Sequence, residues 1–156
     1  MLENERSWTI WADTGGTFTD IIAHHSPSNF STKFKILSSS SIQGTVTEVS
    51  QDDGLIKFSS NLQLPNVEDF WKFCRLRLVS LSPGILRSNN LLKNTFEITG
   101  SINQSLKIKV ENNSNLLNKS LSGGKIEILS PEAPPVLAAR ILTKIPHGSS
   151  LPPIAF

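Results

Sequence analysis

Asp13, Thr14, Gly15, Gly16, Thr17, Thr19 and Asp20 bring carboxylates, hydroxyls and glycines into one short string. These are residue types that can do phosphate chemistry. Backbone N–H groups around a glycine-rich turn form a concavity for anions, and missing side chains let a phosphate approach the chain closely. Hydroxyls add hydrogen bonds to phosphate oxygens. A neighbouring carboxylate can hold Mg²⁺ through water, because Mg²⁺ dehydrates reluctantly. The same residues also suit a tight hairpin whose Asp and Thr side chains only satisfy the turn. Spacing alone leaves both readings open.

The elements that must position this string are strands. Trp8, Ile10 and Ala12 alternate with Thr9, Trp11 and Asp13, and Thr17, Thr19, Ile21 and Ala23 alternate with Phe18, Asp20 and Ile22. Two period-2 runs around Gly-Gly predict a hairpin, with the glycines supplying positive φ. Phe30–Leu37 alternates again and predicts a third antiparallel strand, hence a meander. The paired His24-His25 reads as a solvated strand end, with no further ligand at metal spacing.

The string D-T-G-G-T-F-T-D (Asp13 to Asp20) resembles the first phosphate loop of the hydantoinase A / 5-oxoprolinase family, within the actin-like ATPase superfamily. Residues 132–143, E-A-P-P-V-L-A-A-R-I-L-T, with Pro146, Gly148 and Leu151-Pro152-Pro153, resemble a second segment of that family in the expected order. Pro134-Pro135 is doubled relative to the family pattern, and Lys144 stands where Gly is common. The resemblance implies ATP and Mg²⁺ as cofactors and a cyclic amide, 5-oxoproline or a hydantoin, as substrate. ATP would phosphorylate the amide oxygen, and water would open the activated ring. Asp13 would position Mg²⁺ or the reacting phosphate and act catalytically. Thr14, Gly15, Gly16, Thr17 and Thr19 would line the phosphates. Asp20 would be a second metal contact or a brace for the loop. The resemblance also implies that a second phosphate loop and an adenosine site lie later in the chain. These residues are therefore expected to carry half a nucleotide cleft, inactive until the remainder of the enzyme or a partner subunit completes it. A non-catalytic β-rich binding or assembly module with a relic phosphate loop is the alternative.

Residues 41–129 read as a β-rich insertion. Gly44–Val49, Leu55–Phe58, Arg75–Val79, Phe96–Thr99, Leu106–Val110 and Lys125–Leu129 are strand-like. Turn residues lie between them, including Ser82-Pro83-Gly84, Gly100-Ser101 and the polar stretch 112–122. This spacing predicts a small antiparallel barrel or sandwich. Asn66 is expected to cap a short helical turn over 67–71. Ser130–Lys144 is the one predicted helix, with Ser130 as N-cap and Pro131 at N1. The prolines at 134 and 135, which fit best in a first turn, offer a later start. Leu137, Ala138, Ile141 and Leu142 form its apolar stripe, expected to pack on the meander. Ile154-Ala155-Phe156 opens another strand. The fold class is thus α+β, mostly β: a partial actin-like lobe over 1–40 and 130–156, with an inserted β-rich subdomain over 41–129.

The chain of 156 residues has 15 basic and 13 acidic side chains and a net charge of +2, with no long run of either sign. That balance gives no electrostatic case for nucleic acid or an anionic membrane. No apolar run approaches the ~18 residues a membrane helix needs. The polar residues 1–7 do not read as a signal peptide. A lone cysteine, Cys74, excludes an internal disulfide and fits a cytoplasmic location. Cys74 lies among Phe70, Trp71, Phe73 and Leu76, where a thiol is buried and inert. Arg75 and Arg77 share one strand face, which is either solvated or open to an anionic ligand.

Overall fold

A computed structural model describes residues 8–80, 95–109 and 121–156. The chain is mostly β. Three strands, β1 (Trp8–Thr14), β2 (Phe18–His25) and β3 (Phe30–Leu37), form the predicted meander. The β2–β3 connection is a 3-10 turn, Ser26–Ser28, closed by Asn29 in the left-handed region at φ 50. Six further strands follow: β4 (Ser41–Ser50), β5 (Leu55–Ser59), β6 (Arg75–Ser80), β7 (Thr95–Ile102), β8 (Ser105–Ile108) and β9 (Lys125–Leu129). Their order is β4-β5-β8-β7-β6-β9, and β9 also pairs with β4. The ring of pairings is therefore closed, an antiparallel barrel. Sequence spacing left barrel and sandwich open, and the β4–β9 pairing decides for the barrel.

The barrel interior follows from register. Ile42 lies opposite Ile128, Gly44 opposite Ile126, and Leu76 and Leu78 opposite Ile128 and Ile126 on the other side of β9. All these apolar side chains are at most 3% exposed. Gly44 is small for a reason: a Cβ there would stand 2.9 Å from the Phe58 ring and 3.0 Å from the Ser59 carbonyl. The outward faces of the same strands carry Arg75, Arg77 and Glu127. Arg75 Nε donates to Thr95 Oγ1 at 2.8 Å, and Arg77 pairs with Glu127. Both arginines are thus engaged by their own sheet.

The meander joins the barrel through the tight turn Ser38–Ser40 and the single pair Leu37–Ser41. One face of the meander (Ile10, Ile21, Ala23, Ile36) is buried against helix α1 (Pro134–Thr143), with Leu137, Ala138, Ala139 and Ile141 closing the contact. This is the packing that the apolar stripe predicts. After α1 the chain returns to the sheet. Ile10 N donates to Ala155 O at 2.8 Å and Ala155 N to Trp8 O at 3.2 Å, a parallel bridge on the outer edge of β1.

Several local expectations are settled or corrected. Of the two starts the sequence offered for the helix, Ser130 and the prolines, the later holds: it begins at Pro134, and its N-cap Ala133 is extended at ψ 155. A residue before proline is pushed out of the helical region, and prolines tolerate only the first turn. Residues 67–74 form successive tight turns rather than a helix, with Asp69 and Phe73 at φ 55 and 73. Gly100-Ser101 lies inside β7 beside a bulge, and the β7–β8 turn is Asn103-Gln104, both at positive φ. The expected turn at 82–84, the end of the Leu106–Val110 strand and most of the polar stretch 112–122 lie outside the described residues.

Lys144 closes α1 in the left-handed region, at φ 60 and ψ 26. That conformation strains a residue with a Cβ, whereas glycine adopts it freely. Lys144→Gly is expected to stabilise the fold by about 1 kcal/mol, read as a higher urea midpoint at unchanged slope.

Candidate functional site

The hairpin tip is built by register. Asp13 faces Asp20 and Thr14 faces Thr19 across β1–β2, and Gly15 N donates to Phe18 O at 2.9 Å. Opposite residues of an antiparallel pair share a face. Asp13 and Asp20 therefore stand on the outer face, and Thr14 and Thr19 on the face toward α1. Neither Gly15 nor Gly16 has positive φ, contrary to the expectation from the Gly-Gly pair. The glycines instead give bareness: a Cβ on Gly15 would lie 3.1 Å from Phe18 O, whereas one on Gly16 would meet nothing within 4 Å.

The tip is braced from β3. Ser38 N donates to Thr17 O at 2.9 Å, and Ser38 Oγ donates to Gly15 O at 2.9 Å. Thr19, fully buried, places its hydroxyl 3.3 Å from Thr14 Oγ1 and 3.1 Å from Ser38 Oγ. Thr19 thus supports the loop from beneath, while Thr14, Gly15, Gly16 and Thr17 are exposed. Among the described residues, no hydrogen-bond partner is found for the Gly16 and Thr17 N–H groups or the Thr17 hydroxyl. Two successive free N–H groups on a bare, braced turn can accept an anion.

The two carboxylates differ. Asp20 lies opposite Lys35 on β3, and Lys35 Nζ stands 3.3 Å from Asp20 Oδ1. An exposed pair of this kind contributes less than about 1 kcal/mol, but it holds Asp20 toward β3. Asp13 is exposed and has no charged partner among the described residues. No group of three or more metal-ligating side chains occurs among them. What the tip presents is two carboxylates, Asp13 and Asp20, opposite each other across β1–β2.

A second polar cluster was legible only as a motif. Arg140 Nε and Nη2 grip Glu132 at 2.5 and 2.6 Å, and Nη1 donates to Pro146 O at 2.7 Å and Ser149 O at 3.0 Å. His147 Nδ1 lies 2.8 Å from Phe70 O, and Nε2 lies 3.1 Å from Ser130 Oγ and 3.6 Å from Glu132 Oε2. A carbonyl only accepts, so Nδ1 carries the proton and Nε2 accepts from Ser130. Ser130 Oγ in turn accepts from Glu132 N at 3.1 Å. Ser130 and His147 are not a nucleophile and its base. Glu132 lies on the same ring nitrogen as Ser130, and the His147 side chain is 1% exposed. The cluster ties the 70–71 turns, on which His147 stacks through Trp71, to α1 and the loop after it. Gly148 completes that loop at φ 86, beside the Phe73 ring.

Arg140 holds the Glu132 carboxyl below its usual range, chiefly through their hydrogen bonds. Burial pulls His147 below the ordinary 6.5, and burial, followed by the nearby Glu132 charge, pushes the Cys74 thiol up to about 12. Cys74 is thus the inert thiol expected. His24 and His25 end β2, hydrogen-bonded through Nδ1 to Ser31 and Ser28.

The pH dependence follows in sign. With His147 depressed in the folded state, the unfolded chain binds more protons as pH falls below about 6.5, so stability drops there. Glu132 is depressed as well, and adds a second loss as pH falls below about 4.5 toward its folded value. The melting temperature is expected to fall from pH 7.5 to pH 5, and His147→Gln to flatten that segment. An unchanged slope in this variant would remove His147 from the account.

Comparison with protein-family models, curated proteins and solved structures finds no match to this chain. The fold is mostly β, and among the described residues it comprises a closed six-stranded barrel joined to a three-stranded meander backed by one helix. No helix among the described residues is long and apolar enough to cross a membrane.

Proposed function

We propose that the hairpin tip is a phosphate-binding loop for Mg-ATP, and that the chain is the N-terminal part of a cytoplasmic ATP-dependent cyclic-amide hydrolase of the 5-oxoprolinase/hydantoinase type. The observation that carries this reading is that Gly16 and Thr17 N–H groups and an Asp13 carboxylate, all without a partner among the described residues, lie at one braced tip. The N–H groups would hold β- and γ-phosphate oxygens, Thr14 and Thr17 would add hydroxyl contacts, and Asp13 would hold Mg²⁺ through water. Bound Mg-ATP would supply the phosphoryl group that activates the ring amide. In this reading residues 1–40 and 130–156 are part of an actin-like lobe and 41–129 an insertion. The isolated parallel bridge from Thr9 to Ala155 beyond α1 supports that lobe, because a parallel contact on β1 reached through a helix is how a crossover connection would begin. A partner subunit or further chain would complete the cleft and bring the substrate, so the chain alone is expected to bind nucleotide without turnover.

Gly16→Val tests the proposal cleanly. Its Cβ has open space and its backbone needs no positive φ, so the fold is expected to survive while the approach to the phosphate is blocked. Calorimetry should show saturable Mg-ATP binding by the parent chain, weakened at least about tenfold in Gly16→Val at equal melting temperature. Equal affinities would take the tip out of any nucleotide site.

The second reading, a binding or assembly module with a relic loop, draws on Trp11, Phe18 and Ile22. They are 53%, 46% and 46% exposed on the outer face of the meander. It predicts no nucleotide binding by a folded chain.

A further inference from the structure

Among the described residues, the edge of β3 away from β2 is paired only at its end, through Leu37 and Ser41. Register shows which backbone groups that edge offers. Ser38 N donates to Thr17 O, so Thr17 and Ser38 are a hydrogen-bonded pair of the β2–β3 ladder. Such pairs alternate along an antiparallel ladder. Ile36, Phe34, Thr32 and Phe30 therefore turn their N–H and C=O toward β2, and Lys35, Lys33 and Ser31 turn theirs outward. Leu37 follows the same rule, since its carbonyl accepts Ser40 N on the outer side at 2.8 Å. The described residues place no other backbone partner on the edge at Ser31, Lys33 or Lys35.

This edge borders a crevice. At one end a cavity of about 410 Å³ lies between Lys33, Lys35, Gln43 of β4 and Asn61 in the segment after β5. At the other a cavity of about 580 Å³ lies among Trp8, Phe30, Phe34, Leu64 and Ile141, with Lys144 at its rim. Phe34 and Leu62 line both, so the two cavities follow one strand. No acidic side chain is among the described residues lining either. Lys33 has no ion-pair partner among the described residues, and Lys35 has only the exposed Asp20.

We propose that the β3 edge is a strand-addition site for an extended peptide of another protein in which acidic and apolar residues alternate. Backbone bonds to Ser31, Lys33 and Lys35 would supply the pairing. Side chains on one face of the added strand meet Lys33 and Lys35, and those on the other meet the aromatic cavity. Period-2 geometry thus makes the preferred sequence acidic and apolar in turn. The proposal is independent of nucleotide binding at the tip.

The test uses the full chain and a fluorescein-labelled heptapeptide, Glu-Val-Glu-Phe-Glu-Val-Glu, followed by anisotropy. Its control has the same composition in blocks, Glu-Glu-Glu-Glu-Val-Phe-Val. Lys33→Gln and Lys33→Pro both remove the charge, but only proline removes the outward N–H, at an edge position where the β2 ladder does not use it. The alternating peptide is expected to bind saturably, and about tenfold more weakly to Lys33→Pro than to Lys33→Gln. N-methylation of the peptide at alternate residues should weaken binding to the unaltered chain, which keeps the test decisive if Lys33→Pro misfolds. Equal binding of the block peptide, indifference to both proline and N-methylation, or no binding would overturn the proposal. So would a dimer of the chain, seen by sedimentation and lost in Lys33→Pro, because it would assign the edge to a second copy.

Discussion

Arg140→Ala is expected to destabilise the fold by about 3–5 kcal/mol, the range for stripping one partner from a buried ion pair. The Arg140 side chain is 6% exposed and the Glu132 side chain 25%. The guanidinium makes a two-point contact with Glu132 and also holds the carbonyls of Pro146 and Ser149. Truncation leaves a carboxylate facing His147 without its cation, and frees the loop that carries His147. Lysine can replace the charge but not the planar fork, so Arg140→Lys should recover only part of the loss. Urea unfolding checks both variants. A loss below about 1 kcal/mol for Arg140→Ala would mean that the pair behaves as a solvated surface bridge.

The second large effect lies in the barrel. Ile126→Ala is expected to cost about 2–5 kcal/mol. Ile126 is fully buried on β9, between Gly44 of β4 and Leu78 of β6. Gly44 has no side chain with which to fill the void, and the strands on both sides are fixed by the closed ring. Leu137→Ala, fully buried under the meander, should fall in the same range. Buried residues of the barrel, meander and helix form one contiguous cluster, and the Glu132–Arg140–His147 contacts bridge them. Either variant should therefore lower a single transition. Far-ultraviolet dichroism and tryptophan fluorescence, reporting Trp8, Trp11 and Trp71, are expected to coincide. Separate transitions would show that barrel and meander fold independently.

The meander was readable because its signal is local: alternation over β1 to β3 and short turns between them. Barrel closure was not, because β9 finds β4 across some eighty residues and no short pattern encodes that pairing. The four serines at 38–41 read as a junction, yet each has a structural task. Ser38 braces the hairpin tip, Ser39 bonds to Ser41, Ser40 bonds to the Glu132 carbonyl, and Ser41 opens β4. At the candidate site the residue types were legible, but their division of labour was not. The string groups Thr19 with the phosphate contacts, and only burial shows it supporting the loop from below. Glu132 and Arg140 stood in a motif without a role until the fold brought them together across the start of α1. The Lys33 and Lys35 edge carried no sequence signal, because which backbone groups face outward depends on register with β2.

The central claim is that a nucleotide's phosphates rest on the bare tip of the β1–β2 hairpin. Backbone amide shifts during a titration with a non-hydrolysable Mg-ATP analogue test it most directly. The account predicts saturable shifts concentrated at Gly15, Gly16 and Thr17, with weaker ones at Asp13 and Thr14, and their loss when Mg²⁺ is withheld or Asp13 is replaced by alanine. Unmoved amides at Gly16 and Thr17 in a folded chain, or shifts centred on any other surface, would contradict it and leave the D-T-G-G-T-F-T-D string as a braced hairpin turn.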